Sequence, residues 1–313
     1  MTASPVFVAG HNGLVGSALV RQLRARSYDS LIVRTRAELD LADQRAVDTF
    51  VRKERPEIVF LAAAKVGGIH ANNTSRWEFL YENLEIQNNV LGSCLKYEVP
   101  KVVFLGSSCI YPRNADQPIR EEYLLTGPLE QTNEPYAIAK IAGLKLVEAA
   151  NTQYGREWLS LMPTNLYGPG DNFDLNSSHV VPAMIRKFHE AKTNSAPMKL
   201  WGTGVALREF LHVDDMAAAS CDLMESTSTG LYNVGSGEEI SIRKLAKKIA
   251  SVVGYNGPIE WDSTKPDGTP RKLLDSTKVR ATGWHPRIGL DEGLRSTYEW
   301  YLANAASAYA TVS

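Results

Sequence analysis

An α/β fold built on a parallel sheet is predicted by three features of this sequence. Short β-branched runs alternate with stretches whose apolar residues recur at helical spacing. A glycine-rich segment, Gly10-His11-Asn12-Gly13-Leu14-Val15-Gly16, lies where the first run meets the first helical stretch. After about Leu166 the alternation gives way to a turn cluster, Tyr167-Gly168-Pro169-Gly170-Asp171-Asn172. Parallel strands need crossover connections, so strand–helix alternation implies helices on both faces of the sheet. A chain of 313 residues has room for two units of ordinary size, or for one unit with an appended lobe.

Taken in order, residues 6–9, 31–34, 58–62, 102–105 and 159–162 read as buried strands, because they are short apolar runs bounded by polar or glycine residues. Residues 15–23, 46–51 and 134–154 read as helices. Beyond the turn cluster come helical patterns at 181–191, 215–225, 242–253 and 291–301, with short strands at 231–234 and 259–261. From about Ala303 the residues are small and polar and are expected to fray.

Composition excludes several classes of function. Lys and Arg number 34 against 35 Asp and Glu, a net charge of −1, whereas gripping nucleic acid or anionic lipid needs clustered positive charge. A hydrophobic share of 44% and a charged share of 22% belong to a globular chain rather than a disordered one. The longest apolar run, residues 58–64, is far short of the roughly 18 residues of a membrane span. Residues 1–10 lack a basic leader and read as the approach to the first strand. Cys94, Cys109 and Cys221 are too few and too scattered for a disulfide frame or a zinc site, so no metal and a reducing, cytoplasmic setting are expected.

Glycines three apart at a strand–helix junction suit a loop whose backbone must approach a pyrophosphate, with the helix N-terminus presenting its N–H groups. A glycine-rich turn without a ligand is the plainer alternative, and the placement in an N-terminal βαβ unit favours the dinucleotide. NAD sites carry an acidic residue about 20 residues on, for the ribose 2′-hydroxyl. Here the second strand runs into Arg34-Thr35-Arg36, with Glu38 and Asp40 only later. An arginine there favours a 2′-phosphate, hence NADP, with Arg36 the choice for the contact and a solvated arginine the alternative. Residues 1–166 are therefore read as an NADP-binding domain of Rossmann type. Residues 167–313 are read mainly as a smaller substrate-binding lobe, interleaved with the last strands of the sheet.

Chemistry is sought in the loops after the strands, where ligands of open α/β sheets bind. Leu105-Gly106-Ser107 ends the fourth strand. Asn133-Glu134-Pro135-Tyr136 then opens a helix, with Asn133 able to cap and Pro135 tolerated in the first turn. Tyr136 and Lys140 are four apart and share a helix face. An ammonium beside a phenol is expected to lower its pKa from about 10, making it a proton donor and acceptor. Ser107 can bond the same substrate oxygen. If the backbone stays extended past Ser107, Cys109 points the same way, and His179 enters a helix of the lobe. Thiol and imidazole could act as base and acid beside a ketone. A buried structural cysteine and a capping histidine remain the alternatives.

The glycine loop, Gly106-Ser107, Tyr136 with Lys140, residues 165–169 and residues 208–215 together resemble the extended short-chain dehydrogenase/reductase family, over about residues 6–302. Within it, residues 64–69, 106–112, 132–140 and 265–272 closely resemble the GDP-4-keto-6-deoxy-D-mannose 3,5-epimerase/4-reductases, whose product is GDP-L-fucose. The resemblance implies Cys109 as the epimerisation base and His179 as the acid, with Ser107, Tyr136 and Lys140 serving the reduction. It implies NADPH held by Gly10, Asn12, Gly13, Leu14, Val15, Gly16, Arg36, Leu105, Gly106, Lys140, Pro163, Asn165, Leu166 and His179. Contacts to the nucleotide sugar are implied from Lys187, Trp201 and Arg208, with Arg271 a candidate on charge, and a homodimer is implied as well. Where some members carry a basic residue this chain has Asn12, which leaves Arg36 to carry more of the 2′-phosphate. The alternatives are another nucleotide-sugar epimerase or dehydratase, which would return its hydride, and a non-catalytic NADP-binding sensor.

Overall fold

The computed structural model describes residues 4–265 and 267–308. Val6–Ala9 (β1) is buried at every position, as a strand must be when helices cover both faces of its sheet. Gly10 ends it and Leu14–Ala25 (α1) follows. Leu31–Ile32 (β2) is shorter than the four residues expected, because Arg34 turns away to pair with Glu54 at 3.1 Å. Gln44–Glu54 (α2) is longer than its apolar stripe, since the Asp43 carboxylate accepts from the N–H groups of Arg45 and Ala46 and starts it early. Ile58–Leu61 (β3), Ile69–Thr74 (α3), Arg76–Lys96 (α4), Lys101–Leu105 (β4), Glu134–Tyr154 (α5) and Leu159–Pro163 (β5) complete the first half.

The second half runs Asn165–Tyr167 (β6), Val180–Thr193 (α6), Met198–Trp201 (β7), Leu207–His212 (β8), Val213–Glu225 (α7), Gly230–Val234 (β9), Glu239–Ser241 (β10), Ile242–Val253 (α8), Ile259–Asp262 (β11), Arg271–Lys272 (β12), Thr277–Arg280 (α9) and Leu290–Ala308 (α10). The main sheet has the order β2-β1-β3-β4-β5-β9, every pairing parallel. One apolar layer joins α1 and α7 to the sheet through Leu19, Leu23, Met216 and Ala219. The other joins α2, α4 and α5 through Phe50, Val51, Val90, Leu91, Leu144 and Val147. Thus α7 and β9, read from sequence alongside the lobe elements, belong to the main layers. Beside the sheet, α6, α8 and α10 enclose a separate core of Phe173, Ile185, Phe188, Leu245, Ile249 and Tyr301. The last helix continues through residues expected to fray, as far as Ala308, with a break at Asn304; residues 1–3, 266 and 309–313 lie outside those described.

Two features of this topology position the site. Strand order reverses between β1 and β3, which opens a crevice at their carboxyl ends. Glu209 on β8 is fully buried, and its carboxylate accepts from Gly237 N–H at 2.7 Å and Leu274 N–H at 3.0 Å. Its backbone carbonyl accepts from the Thr164 hydroxyl at 3.2 Å and from Asn165 Nδ2 at 2.9 Å. One residue therefore joins the end of β5, the loop after β9 and the residues following β12.

Candidate active site

The glycine loop lies in the crevice between β1 and β3. Gly10 has φ +84°, and a Cβ there would stand 2.7 Å from the backbone nitrogen of Ala63. A Cβ on Gly16 would collide with the Gly10 carbonyl, which meanwhile accepts from Gly13 N–H at 3.0 Å. Gly13 precedes α1 and no side chain caps that helix, so its first turn faces the crevice with N–H groups available to an anion. Asn12 and Gly13 are exposed, Leu14 and Val15 half-buried. This tight, capless cradle fits a pyrophosphate. Past β2, Arg34 is committed to Glu54 and lies over the Phe50 ring. Glu38 is turned back to accept from Thr35 N–H at 2.7 Å and its hydroxyl at 2.9 Å, which holds its carboxyl below the usual range. Arg36 is 78% exposed, with only a 3.9 Å approach to Asp40.

At the end of β4, Gly106 N–H donates to Leu161 at 2.9 Å. Ser107 is extended, but Ser108–Ile110 forms a tight helical turn. The extended backbone expected at Cys109 is therefore not what brings it to Ser107. The turn does so instead, with Cys109 N–H donating to Ser107 Oγ at 3.3 Å. Tyr136 and Lys140 approach from α5. Asn133 precedes this helix without a side-chain cap, contrary to its expected role. Lys140 is buried, donates to the Leu105 carbonyl at 2.8 Å, and lies 5.8 Å from the Tyr136 ring centroid and 4.9 Å from that of Phe104. Phe79 of α4 packs edge-on against Tyr136, centroids 6.2 Å apart.

Burial governs the titration of the group. It pushes the Tyr136 phenol up, helped by the negative charge Cys109 would carry. This corrects the expectation that Lys140 lowers it: removal from water governs the phenol, and the ammonium, 5.8 Å from the ring centroid, is not among the charges that move it. Lys140 itself is brought down to about 8 by burial. Burial raises the Cys109 thiol, opposed by Lys272, Ser107 and Lys140. The positive charge favouring a thiolate thus comes from two lysines. Lys272, which the sequence reading passed over as a site residue, reaches the site because β12 pairs with β8, register Lys272 to Arg208; that pairing has no local sequence signal.

His179 arrives on a different segment, at the start of α6, and its side chain makes no capping bond. The ring is accessible yet crowded by protein that lowers its pKa, as for a group lining a cleft. Pro163 ends β5, and Asn165 and Leu166 lie half-buried in β6. Further out, Trp201 is 68% exposed, which excludes a core role, with Lys187 and Lys265 nitrogens 5.7 and 5.8 Å from its ring. Arg208 is half-buried, while Arg271 is already paired with Glu239 at 2.7 Å. Among the described residues no cluster of His, Cys, Asp or Glu could hold a metal, and no helix is long and apolar enough to cross a membrane.

The model of the NAD dependent epimerase/dehydratase family matches residues 6–235. The chain belongs to this family. GDP-L-fucose synthase of Escherichia coli (strain K12) is 55% identical over 97% of this chain and 98% of its own length. GDP-L-fucose synthase 1 of Arabidopsis thaliana is 55% identical over 97% of this chain and 95% of its own. Among solved structures, a GDP-L-fucose synthetase from Naegleria fowleri bound to NADP superposes with a TM-score of 0.91, at 28% identity, covering 99% of this chain and 97% of that one. In the epimerase/dehydratase family member described here, the main sheet and the glycine cradle lie within the matched span, whereas Lys265, Arg271 and Lys272 lie beyond it.

Two outcomes follow from this geometry. Gly16→Ala should abolish NADP(H) binding measured by calorimetry, together with the cofactor's effect on thermal stability, because the new methyl meets the Gly10 carbonyl; retained affinity would show that the cradle is not the binding loop. Lys140 loses its charge as pH rises through about 8, so if the ammonium is needed, turnover at saturating substrate should fall above that pH. A profile flat to pH 9.5 would deny the charge a role.

Proposed function

We propose that this chain converts GDP-4-keto-6-deoxy-D-mannose to GDP-L-fucose, inverting C3 and C5 and reducing C4 with NADPH. One observation carries the reading: a thiol lies in the same cluster as the hydroxyl, phenol and ammonium of a carbonyl-reducing site. Cys109 N–H bonds Ser107, and the thiol couples in charge to Tyr136, Lys140 and Lys272. Reduction alone has no use for that thiol. The cradle of Gly10, Gly13 and Gly16, with Asn12, Leu14, Val15 and Arg36, would hold the dinucleotide. Leu105, Gly106, Lys140, Pro163, Asn165, Leu166 and His179 would line its nicotinamide end. Once bound, NADPH supplies the hydride that reaches C4.

The protein's own residues account for the remaining steps. Ser107 and Tyr136 grip the C4 oxygen, and each preorganised donor to a developing oxyanion is worth about 3 kcal/mol. That grip acidifies C3 and C5, since the enolate formed there places its charge on the held oxygen. A Cys109 thiolate, favoured by Lys272 and Lys140, takes a proton from one face. His179 returns one to the other as its imidazolium. Tyr136, kept neutral by burial, then has a proton to give the C4 oxygen as the alcohol forms. Lys187, Trp201 and Arg208 offer charge and a flat surface for the nucleotide diphosphate; Arg271, matched by Glu239, contributes less.

A homodimer through α4 and α5 is part of the same reading. Trp77 and Tyr81 stack on the outside of α4, 69% and 47% exposed, and Ile138 and Leu146 are exposed on the neighbouring α5. Three free thiols agree with work in the reducing cytoplasm.

With GDP-4-keto-6-deoxy-D-mannose in deuterated water, the wild type should consume NADPH and place deuterium at C3 and C5. Cys109→Ser should bind NADPH normally yet nearly abolish that exchange, and undiminished exchange would remove Cys109 from the chemistry. In analytical ultracentrifugation, a Trp77→Glu, Tyr81→Glu double variant should sediment at half the wild-type mass; a wild type that is already monomeric at micromolar concentration rules out the dimer.

A further inference from the structure

The segment leaving β3, Ala64-Lys65-Val66-Gly67-Gly68, is clamped by two asparagine side chains. Asn83 of α4 takes both backbone groups of Lys65: its Oδ1 accepts the N–H at 2.9 Å and its Nδ2 donates to the carbonyl at 3.0 Å. Asn72, 6% exposed, donates through Nδ2 to the carbonyls of Gly67 and Gly68 at 2.6 and 3.1 Å. With both carbonyls held by Asn72, the Gly68 N–H donates to the Ser177 carbonyl at 2.8 Å. Ser177 and Ser178 each also donate their N–H to the Asp174 carbonyl, and the next residue is His179. The approach leaves no room: a Cβ on Gly68 would lie 2.7 Å from the Ser178 carbonyl oxygen. One on Gly67 would lie 3.2 Å from Phe79, the ring that packs on Tyr136. The His179 side chain makes no capping bond of its own, and the Gly68–Ser177 bond holds the backbone two residues before it.

We propose that Gly68 and Asn72 are positioning residues for His179, forming a strap whose backbone bond to Ser177 fixes the imidazole on the face of the sugar opposite Cys109. The assignment rests on the epimerase–reductase reading above and adds to it the device that makes inversion, rather than mere exchange, the outcome. When the Cys109 thiolate takes the C–H proton, the electron pair passes into the C4 carbonyl as an enolate. An imidazolium N–H of His179 then reprotonates the opposite face, after which thiol and imidazole re-equilibrate with water. With His179 displaced, Cys109 is left to return a proton, and it does so on the face it came from. Deuterium then enters without inversion.

The test uses the full chain with GDP-4-keto-6-deoxy-D-mannose in deuterated water, read by NMR for exchange and for configuration at C3 and C5. Gly68→Ala should still exchange, while its ratio of inverted to exchanged centres falls about a hundredfold, the scale of loss from a 1 Å misplacement, matching His179→Gln. Asn72→Ala, which removes the strap's support without adding bulk, should shift the ratio in the same direction and serves if Gly68→Ala folds poorly. A wild-type ratio in both variants overturns the proposal. If the wild type itself neither exchanges nor inverts this sugar, the epimerase–reductase reading fails instead. The strap is then judged by the His179 imidazole signals in nitrogen-15 NMR, assigned with His179→Gln: signals that move in both variants support it, and signals that stay in place refute it.

Discussion

A single hydrogen bond, from the Lys140 ammonium to the carbonyl of Leu105 at 2.8 Å, holds the site together. It joins the second turn of α5 to the last residue of β4, two elements that the chain separates by a long excursion. Because the bond ends at the strand's final carbonyl, it ties the helix to the end of β4, one turn from Tyr136, whose phenol feels the charge Cys109 would carry. Among the described residues the groups facing the ammonium are that carbonyl, the Phe104 and Tyr136 rings and the Cys109 thiol, with no carboxylate. A carboxylate would have neutralised the charge; a carbonyl holds it in place and leaves it usable.

The surroundings impose a common direction on every titratable group nearby. Burial raises Cys109 and Tyr136 and lowers Lys140, Lys272 and His179, so each is pressed toward its uncharged form. Lys140, at about 8, still carries its charge at neutral pH, beside a phenol and a thiol that burial holds protonated. This makes sense of two lysines beside one thiol: neither alone offsets the cost of forming an anion out of water.

Much of the fold was readable because parallel strands announce themselves as short apolar runs and the glycine loop sits at a fixed place in the first βαβ unit. The helix α4 was not readable, although it spans Arg76–Lys96. Its buried face includes Asn83 and Gln87, which spend their amides on the Lys65 backbone and the Ala139 carbonyl, so polar residues interrupt the stripe that would reveal a helix. Strand β8 was hidden for a like reason, its central Glu209 being a carboxylate buried on purpose as an acceptor for two loops. The candidate site residues on the glycine loop and at Ser107, Tyr136 and Lys140 follow local patterns. Lys272 depends on pairing between strands far apart in the chain, and Cys109 on a turn that the sequence does not distinguish from continued strand.

The place of β9 constrains how such a protein can be divided. The outermost strand of the main sheet is drawn from residues 230–234, after the chain has already left to build α6, β7 and β8 and returned through α7. A fragment ending after β5 would carry the entire glycine cradle but leave Leu159–Pro163, buried at every position, as a bare apolar edge inviting the wrong neighbour. The segment between β5 and β9 is in this sense a loop of the main sheet, closed by a strand, so the sheet cannot be completed without it.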